Sequence, residues 1–460
     1  MSVTEILTRR TDDERYPSWY LYLFVAAVVV LFANTHAPIN FVMSWYDRVL
    51  TILLSSGYIT QITFRSMLEQ KDAVIVNVIV PVRTWSFFTA LIIAAVPLLR
   101  DIARHVQRNG SIYTDRRTYT ALLIPFGILC LLTFPSQLGL GGNMYARMSL
   151  EPLSFNDSKL WFYQRLLMPS IAYLLMLKGP VLYFVFSLIT TIMMYLLVLL
   201  FFRTRGITLS GLELVSIGSC SFMMTQLQIP GYTEQLAIIF LLLLFIVPTG
   251  TMGRMSLVVF SLLAHEISIV PLVFVALLYF TGRERAMMGV IIGFYVTFWI
   301  ASFGGDIAQL LSVRNVYGKS GLQWAMEFPL RLVSGIALSY KLLWIPIAVA
   351  AVRFQSERWF IIGLSAIAVG FTLIGVDTSR LMGFALLALL TSLYLLKREH
   401  PEVHRWYPAL LSVNIIVPSF FIGTNIGIAL VNGFYETGSP VGTVVLNGLY
   451  QMIYLGVVLR

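Results

Sequence analysis

The stretch EQLAIIFLLLLFIV, residues 234–247, opens with one acid and one amide and then holds only apolar side chains. Runs of this kind recur from one end of the chain to the other. A helix needs roughly 20 apolar residues to cross about 30 Å of hydrocarbon, and spans are expected near 18–35, 73–99, 118–136, 181–202, 208–228, 234–250, 286–304, 328–352, 359–375, 381–396, 407–422 and 441–459. Two shorter apolar pieces, 49–64 and 166–178, read as re-entrant or interfacial segments. The runs are continuous and do not alternate over ~10 residues, which selects helices over a barrel. The expected fold class is therefore all-α, a polytopic transmembrane helical bundle of about 12–14 membrane segments with several broken or re-entrant. One membrane domain covers residues 1–460, with 1–17 as a cytoplasmic N-terminal segment and 401–460 as C-terminal helices. The first apolar run lacks a small-residue cleavage site and reads as a retained span.

Composition agrees: only 12% of the residues are charged, against roughly 25% in soluble domains. The net charge of +10 does not call for a nucleic-acid partner, because in a membrane protein basic residues first report orientation. Cys130 and Cys220 fall far apart within expected spans, so they read as small buried apolar residues and not as a disulfide or metal pair. Arg100, Arg104, Arg108, Arg116 and Arg117 form a basic cluster expected to lie in the cytoplasm beside anionic lipid.

The run 255–280 fixes the orientation of everything after it. Read as one span, it puts Arg283, Arg285, Arg353, Arg358, Lys397 and Arg398 outside, against the positive-inside rule. Read as two half-helices that enter and return, it keeps them in the cytoplasm. The hairpin is the expected form, and it explains SLLAHEISIV: His265 and Glu266 mark the tip, where unpaired backbone groups are tolerated only inside protein or beside a water-filled cavity. Glu266 equally suits a pairing with a buried arginine that holds two helices in register.

With this topology the unusual polar residues collect on the outer face. Glu151 and Asp157 lie in the loop after GGNMYARM, followed by Tyr163, Arg165 and Pro169. Glu234, His265 with Glu266, Asp306, Asp377 with Arg380, and Glu436 follow. Asp157, Glu327 and Glu436 read as ordinary solvated charges. Chemistry on this face needs a base to activate a hydroxyl and cations to hold a departing phosphate. Glu234, Glu266, Asp306 and Asp377 are candidate acids or bases, and Arg165 and Arg380 candidate phosphate clamps, since a guanidinium matches a phosphate and stays charged near apolar groups. Asp377 and Arg380, three residues apart, could instead be an interfacial ion pair. No GxSxG, Walker loop, HExxH or GxGxxG motif is found.

The succession NMYARMSLEP, YQRLLMPSIAYLL, GYTEQLAIIFLLLL, LLAHEISIVPL and DTSRLMGFALL resembles the layout of bacterial GT-C fold glycosyltransferases, to which exopolysaccharide and O-antigen polymerases are similar. The resemblance spans residues 118–400. It implies an integral-membrane enzyme of the bacterial inner membrane with its active face periplasmic. A polyprenyl-phosphate-linked sugar donor would enter from the bilayer, a saccharide or lipid-linked acceptor would arrive from outside, and membrane lipids and envelope-assembly partners would surround it. An acidic side chain would deprotonate the acceptor while arginines stabilise the leaving lipid phosphate. The sequence departs from the family at GGNMY, where Asn143 stands in place of an acid, and it contains no DxD. A divalent metal is therefore unsupported and no cofactor is assigned. The base falls to Glu151, Glu234 or Glu266, with Arg165, Arg380, His265, Asp377, Tyr145, Asp306 and Tyr163 as substrate-binding residues; His265 would orient Glu266 or bind the donor phosphate. Two other classes suit the same residues. One is a transporter or lipid-linked-saccharide flippase with a mid-membrane carboxylate; the other is a non-catalytic subunit of an envelope polysaccharide assembly complex.

Overall fold

The computed structural model describes residues 16–417 except 37–38, 111, 113–115, 134–135, 137, 139, 154–164, 304–318, 376 and 401–406, together with 419–423 and 427–430. Asp157, Tyr163, Asp306, Glu436 and the expected span 441–459 lie outside the described residues.

The described chain is helical apart from one short hairpin. Its elements in order are α1 (Ser18–His36), α2 (Ile39–Ser55), α3 (Gln61–Glu69), α4 (Lys71–Arg108, π-helical over Ile75–Ile79), α5 (Arg116–Leu132), α6 (Leu140–Met148), α7 (Leu167–Leu174), α8 (Gly179–Arg203), α9 (Gly211–Gly218) and α10 (Ser221–Gln228). They continue with α11 (Glu234–Ile246), α12 (Thr251–Ala264), α13 (Ile269–Tyr279), α14 (Gly282–Ser302), α15 (Gly321–Glu327), α16 (Pro329–Tyr340), α17 (Trp344–Arg353), α18 (Arg358–Ile374), α19 (Thr378–Glu399) and α20 (Tyr407–Ile416). Among the described residues six stretches are long and apolar enough to cross a membrane: α1, α4, α8, α14, α16 with α17, and α19. This is the architecture of a multi-pass membrane protein. Burial of the apolar window is 94% in α19 and 17% in α14, so α19 is the central post and α14 lies at the periphery.

Three expected spans are broken in mid-course. The span 208–228 is two short helices, α9 and α10, parted at Ser219 and Cys220. The carbonyls left over there are taken up from outside: Tyr195 Oη donates to Gly218 O (3.2 Å), Ser419 Oγ to Ser219 O (2.5 Å) and Asn414 Nδ2 to Ser216 O (3.2 Å). The span 328–352 divides at Lys341, which has φ +52°, a region that non-glycine residues seldom adopt. Its ammonium donates to Asn414 O (3.2 Å) and Val417 O (2.7 Å), and Asn414 Oδ1 accepts the Leu342 N–H (3.0 Å). The span 407–422 stops as helix at Ile416, and Phe420–Gly423 pairs antiparallel with Gly427–Leu430. Helix breaks inside a bilayer persist only where side chains replace the missing backbone partners, and here the breaks supply one another.

The run 255–280 reverses direction. Helix α12 ends at Ala264, His265 is extended (φ −161°, ψ 123°), and α13 begins after a 3-10 turn over Glu266–Ser268. Arg254, near the start of α12, lies 3.3 Å from Glu284 in the first turn of α14, and Thr251 Oγ1 is 3.4 Å from the same carboxylate. A straight passage of 25 helical residues would hold those ends roughly 37 Å apart. Glu284 also closes a capping box with Thr281, accepting from Thr281 N (2.9 Å) and Oγ1 (2.8 Å).

Further contacts gather the basic residues at the end where this hairpin opens. Gly250 N donates to Asp101 Oδ2 (3.0 Å) beside Arg100 and Arg104, Arg205 Nη2 to Phe245 O (2.7 Å), and Lys397 Nζ to Thr208 O (3.0 Å) and Glu213 (2.7 Å). Arg353 meets His400 at 3.1 Å. This basic end is the floor from which α11 and α12 rise, each about 20 Å long. The hairpin geometry carries an expectation for labelling. In a background without Cys130 and Cys220, Thr208→Cys and Arg283→Cys should react with an impermeant maleimide from one side of the membrane and Glu151→Cys from the other. Labelling of Arg283→Cys together with Glu151→Cys would mean that the chain crosses at 255–280.

A buried chain of opposed charges as the candidate functional site

Helices α11 and α12 end, away from the basic end, in a row of alternating charges. Arg165, two residues before the short, mostly buried helix α7, donates from Nε to Glu266 Oε2 (2.9 Å) and from Nη2 to Glu266 Oε1 (2.7 Å), a bidentate pair. Its Nη1 donates to Tyr145 Oη (3.3 Å), on α6. His265 stands between two carboxylates, Nε2 3.4 Å from Glu234 Oε1 and Nδ1 3.4 Å from Glu266 Oε2, while the Ile267 N–H donates to Nδ1 (3.2 Å). Glu234 Oε1 lies 3.3 Å from Arg380 Nη1, and Arg380 Nε donates to Asp377. The sequence of contacts is thus Tyr145, Arg165, Glu266, His265, Glu234, Arg380, Asp377. The side chains of His265, Glu266 and Glu234 are 1%, 2% and 4% exposed, whereas Arg165, Arg380 and Asp377 are 12%, 14% and 17% exposed. The arginines and Asp377 therefore form the rim and the central three the floor.

Local sequence explains how these groups come together. Tyr232 places its ring 3.6 Å from the Arg380 guanidinium carbon, a cation–π contact that aims Arg380 towards Glu234. The turn carrying Tyr232 depends on Gly231, at φ +101°, whose carbonyl accepts from Tyr183 Oη (3.1 Å). A Cβ on Gly142 would come within 2.7 Å of Pro230 O, so the GGN segment at the start of α6 can lie against this turn only because it lacks side chains there. On the far side Phe384 of α19 meets the His265 ring edge to face at 6.4 Å.

Of the residues expected from sequence, Tyr145, Arg165, Glu234, His265, Glu266, Asp377 and Arg380 are brought into one cluster. Glu151 is exposed just past the end of α6, unlike the buried Glu234 and Glu266. Arg165 and Arg380, read from sequence as candidate phosphate clamps, with ion pairs of Glu266 to a buried arginine and of Arg380 to Asp377 as the alternative, face carboxylates in this structure. Two guanidiniums oppose three carboxylates, an excess of one negative charge when His265 is neutral. Among the described residues no group of three or more His, Cys, Asp or Glu side chains is arranged to hold a metal ion. Sequence reasoning passed over Tyr232, although it sits in the quoted GYTEQL. It also passed over His36, at the end of α1, which is 3% exposed, has neither ring nitrogen hydrogen-bonded and lies within electrostatic reach of Glu266.

Comparison with known proteins gives no matching family model, no matching curated protein and no matching solved structure.

A buried charge stripped of its partner costs far more than the intact pair contributes. Arg165→Ala should therefore lower stability by about 3–5 kcal/mol, seen as a fall in thermal unfolding temperature in detergent, and Arg165→Leu with Glu266→Leu should recover most of it. Equal loss in the single and double variants would show that the pair does not hold α7 against the hairpin tip.

Proposed function

We propose that this protein is a membrane glycosyltransferase or polysaccharide polymerase that uses a polyprenyl-phosphate-linked sugar, with a GT-C-like core at residues 118–400. The observation that carries the reading is the buried row of carboxylates interleaved with arginines at the tip of a returning hairpin. Its depth, about 20 Å from the basic end, suits a reaction between a lipid phosphate in the bilayer and an acceptor in water. With the basic end in the cytoplasm, the rim opens towards the periplasmic face of a bacterial inner membrane.

In this reading the arginines exchange partners. A lipid phosphate arriving at the rim competes with Glu234 for Arg380 and with Glu266 for Arg165, because a phosphodiester anion matches a guanidinium fork as a carboxylate does and gains a second negative charge as the sugar departs. The exchange frees a carboxylate at the moment the donor is seated. Glu234 is the favoured base, since its Oε2 is buried without a hydrogen-bond partner while both oxygens of Glu266 hold Arg165. The acceptor hydroxyl gives its proton to Glu234 as its oxygen bonds to the anomeric carbon. The bond from that carbon to the phosphate oxygen breaks, and the electron pair leaves with the polyprenyl phosphate held by the arginines. His265 links the two carboxylates and keeps Glu234 turned towards the rim.

A second reading, a transporter or lipid-linked-saccharide flippase, is favoured by Lys341. A buried ammonium held by carbonyls where three broken helices meet has the form of a coupling-ion site. Flux into proteoliposomes without any covalent product would decide for it.

Native mass spectrometry of the protein purified in mild detergent should show a polyprenyl phosphate, with or without sugar, retained over bulk phospholipid and lost in Arg380→Ala. Retention of bulk phospholipid alone would remove the transferase reading. Glu234→Gln should keep that lipid and lower sugar transfer by about 10²–10⁴-fold; undiminished transfer would move the base elsewhere.

A further inference from the structure

Buried polar atoms in this protein are for the most part satisfied where helices break. Lys341, Asn414, Ser216 and Ser219 hydrogen-bond one another or nearby carbonyls, and Lys397 is held by Glu213 and Thr208. Single buried atoms such as Ser268 Oγ and Thr391 Oγ1 are left over elsewhere among the described residues, and one junction gathers several. Both side-chain polar atoms of Gln226, the hydroxyls of Thr233 and Thr378, and Glu234 Oε2 are buried without a hydrogen-bond partner among the described residues. Gln226, Thr233 and Thr378 are 0% exposed and Glu234 is 3% exposed.

The segments that carry these groups pack together. A Cβ on Gly383 of α19 would meet the Phe222 ring of α10 at 2.5 Å, so those two residues are in register. Further along, Tyr232 lies under Arg380. As α10 runs from Phe222 towards Tyr232, α19 therefore runs from Gly383 back towards Arg380, and the two helices are antiparallel. Gln226, one turn beyond Phe222 on the same face, comes opposite the first turn of α19, where Thr378 lies. Thr233 and Glu234 begin α11, and Glu234 is tied to Arg380 across the same junction.

A buried amide or hydroxyl left without a partner is destabilising, and several such groups in one place mark a site whose partners arrive with a ligand. Their chemistry specifies it. An amide, two hydroxyls and one carboxylate oxygen offer donors and acceptors side by side, as the hydroxyls of a sugar do. An apolar ligand would leave them unsatisfied, and the carboxylate disfavours a phosphate. We propose that Gln226, Thr233, Thr378 and Glu234 Oε2 form a saccharide subsite, in which a sugar ring is held between α10, the start of α11 and the start of α19 with one hydroxyl against Glu234. This rests on the transferase reading and deepens it. The arginines at the rim take the lipid phosphate, and this junction, beside Arg380, takes the ring. Entry requires the start of α19 to part from α10, since the atoms are closed off in the present conformation.

The probes are free glucose, galactose and N-acetylglucosamine, followed by saturation-transfer NMR on the detergent-solubilised protein, with undecaprenyl phosphate binding measured separately by native mass spectrometry. The expected result is saturable binding of at least one sugar at millimolar concentration, weakened about tenfold or more in Gln226→Leu and in Thr378→Val, with undecaprenyl phosphate binding unchanged. Gln226→Leu should also raise the thermal unfolding temperature, because it removes two unsatisfied buried atoms while keeping an apolar side chain of similar size. Three outcomes would overturn the subsite: no sugar binding while undecaprenyl phosphate binds, equal sugar binding in wild type and both variants, or a lower unfolding temperature in Gln226→Leu. Sugar binding without undecaprenyl phosphate binding would keep the subsite and remove the lipid-linked donor instead.

Discussion

The pairing of Arg165 with Glu266 is the contact on which the arrangement around the site depends. Glu266 sits at the turn where α12 gives way to α13, in a place where the backbone cannot satisfy itself and water is scarce. A lone carboxylate there would be costly, and the bidentate guanidinium from just before α7 removes that cost while tying this packed eight-residue helix to the hairpin tip. His265 extends the pairing to Glu234, and Arg380 extends it to Asp377. Four separate stretches of chain are thereby fixed to one another by charge, where apolar packing alone would let them slide.

The same economy of partners governs the deeper junction at Lys341. There the C-terminal carbonyls of α20 accept from the ammonium, and Asn414 answers a backbone donor beside it while reaching the end of α9. Breaks in α9–α10, α16–α17 and α20 are tolerated because they meet. The two junctions differ in kind. The Lys341 junction is closed on itself, whereas the row from Arg165 to Asp377 has partly exposed ends and leaves polar atoms unsatisfied beneath them. Satisfied polar contacts stabilise a fold, whereas unsatisfied ones near a rim leave donors and acceptors for a ligand, and this contrast is why the transferase reading rests on the row of charges and not on the Lys341 junction.

Much of the architecture was legible from the chain. Runs such as 181–202 and 286–304 are apolar over a membrane's thickness, and the helices found there, Gly179–Arg203 and Gly282–Ser302, match them closely. The reversal at His265 could be inferred because it restores the basic residues to one end, a constraint that acts over the whole sequence. The breaks at Ser219 and Lys341 could not. SIGSCS and SYKLLW contain no proline, and what ends the helices is supplied by Tyr195, Asn414 and Ser419, which lie far away in sequence. Tyr232 and Gln226 were hidden for a similar reason, since an aromatic or an amide in an apolar chain is ordinary until its neighbours are known.

By itself, then, the sequence determined that this chain lives in a bilayer as helices, which end carries the positive charge, and that Glu234, His265, Glu266, Asp377 and Arg380 are out of place in apolar surroundings. These follow from local hydropathy and from the cost of burying charge, which act on each residue wherever it lies. Only the tertiary structure decided that those residues form a single row with Arg165 and Tyr145, that Arg165 and Arg380 are neutralised by carboxylates, and that Glu234 keeps one oxygen without a partner. Pairing depends on which helices are neighbours, and that is set by packing between segments separated by some 20 to more than a hundred residues, about which the local pattern carries no information.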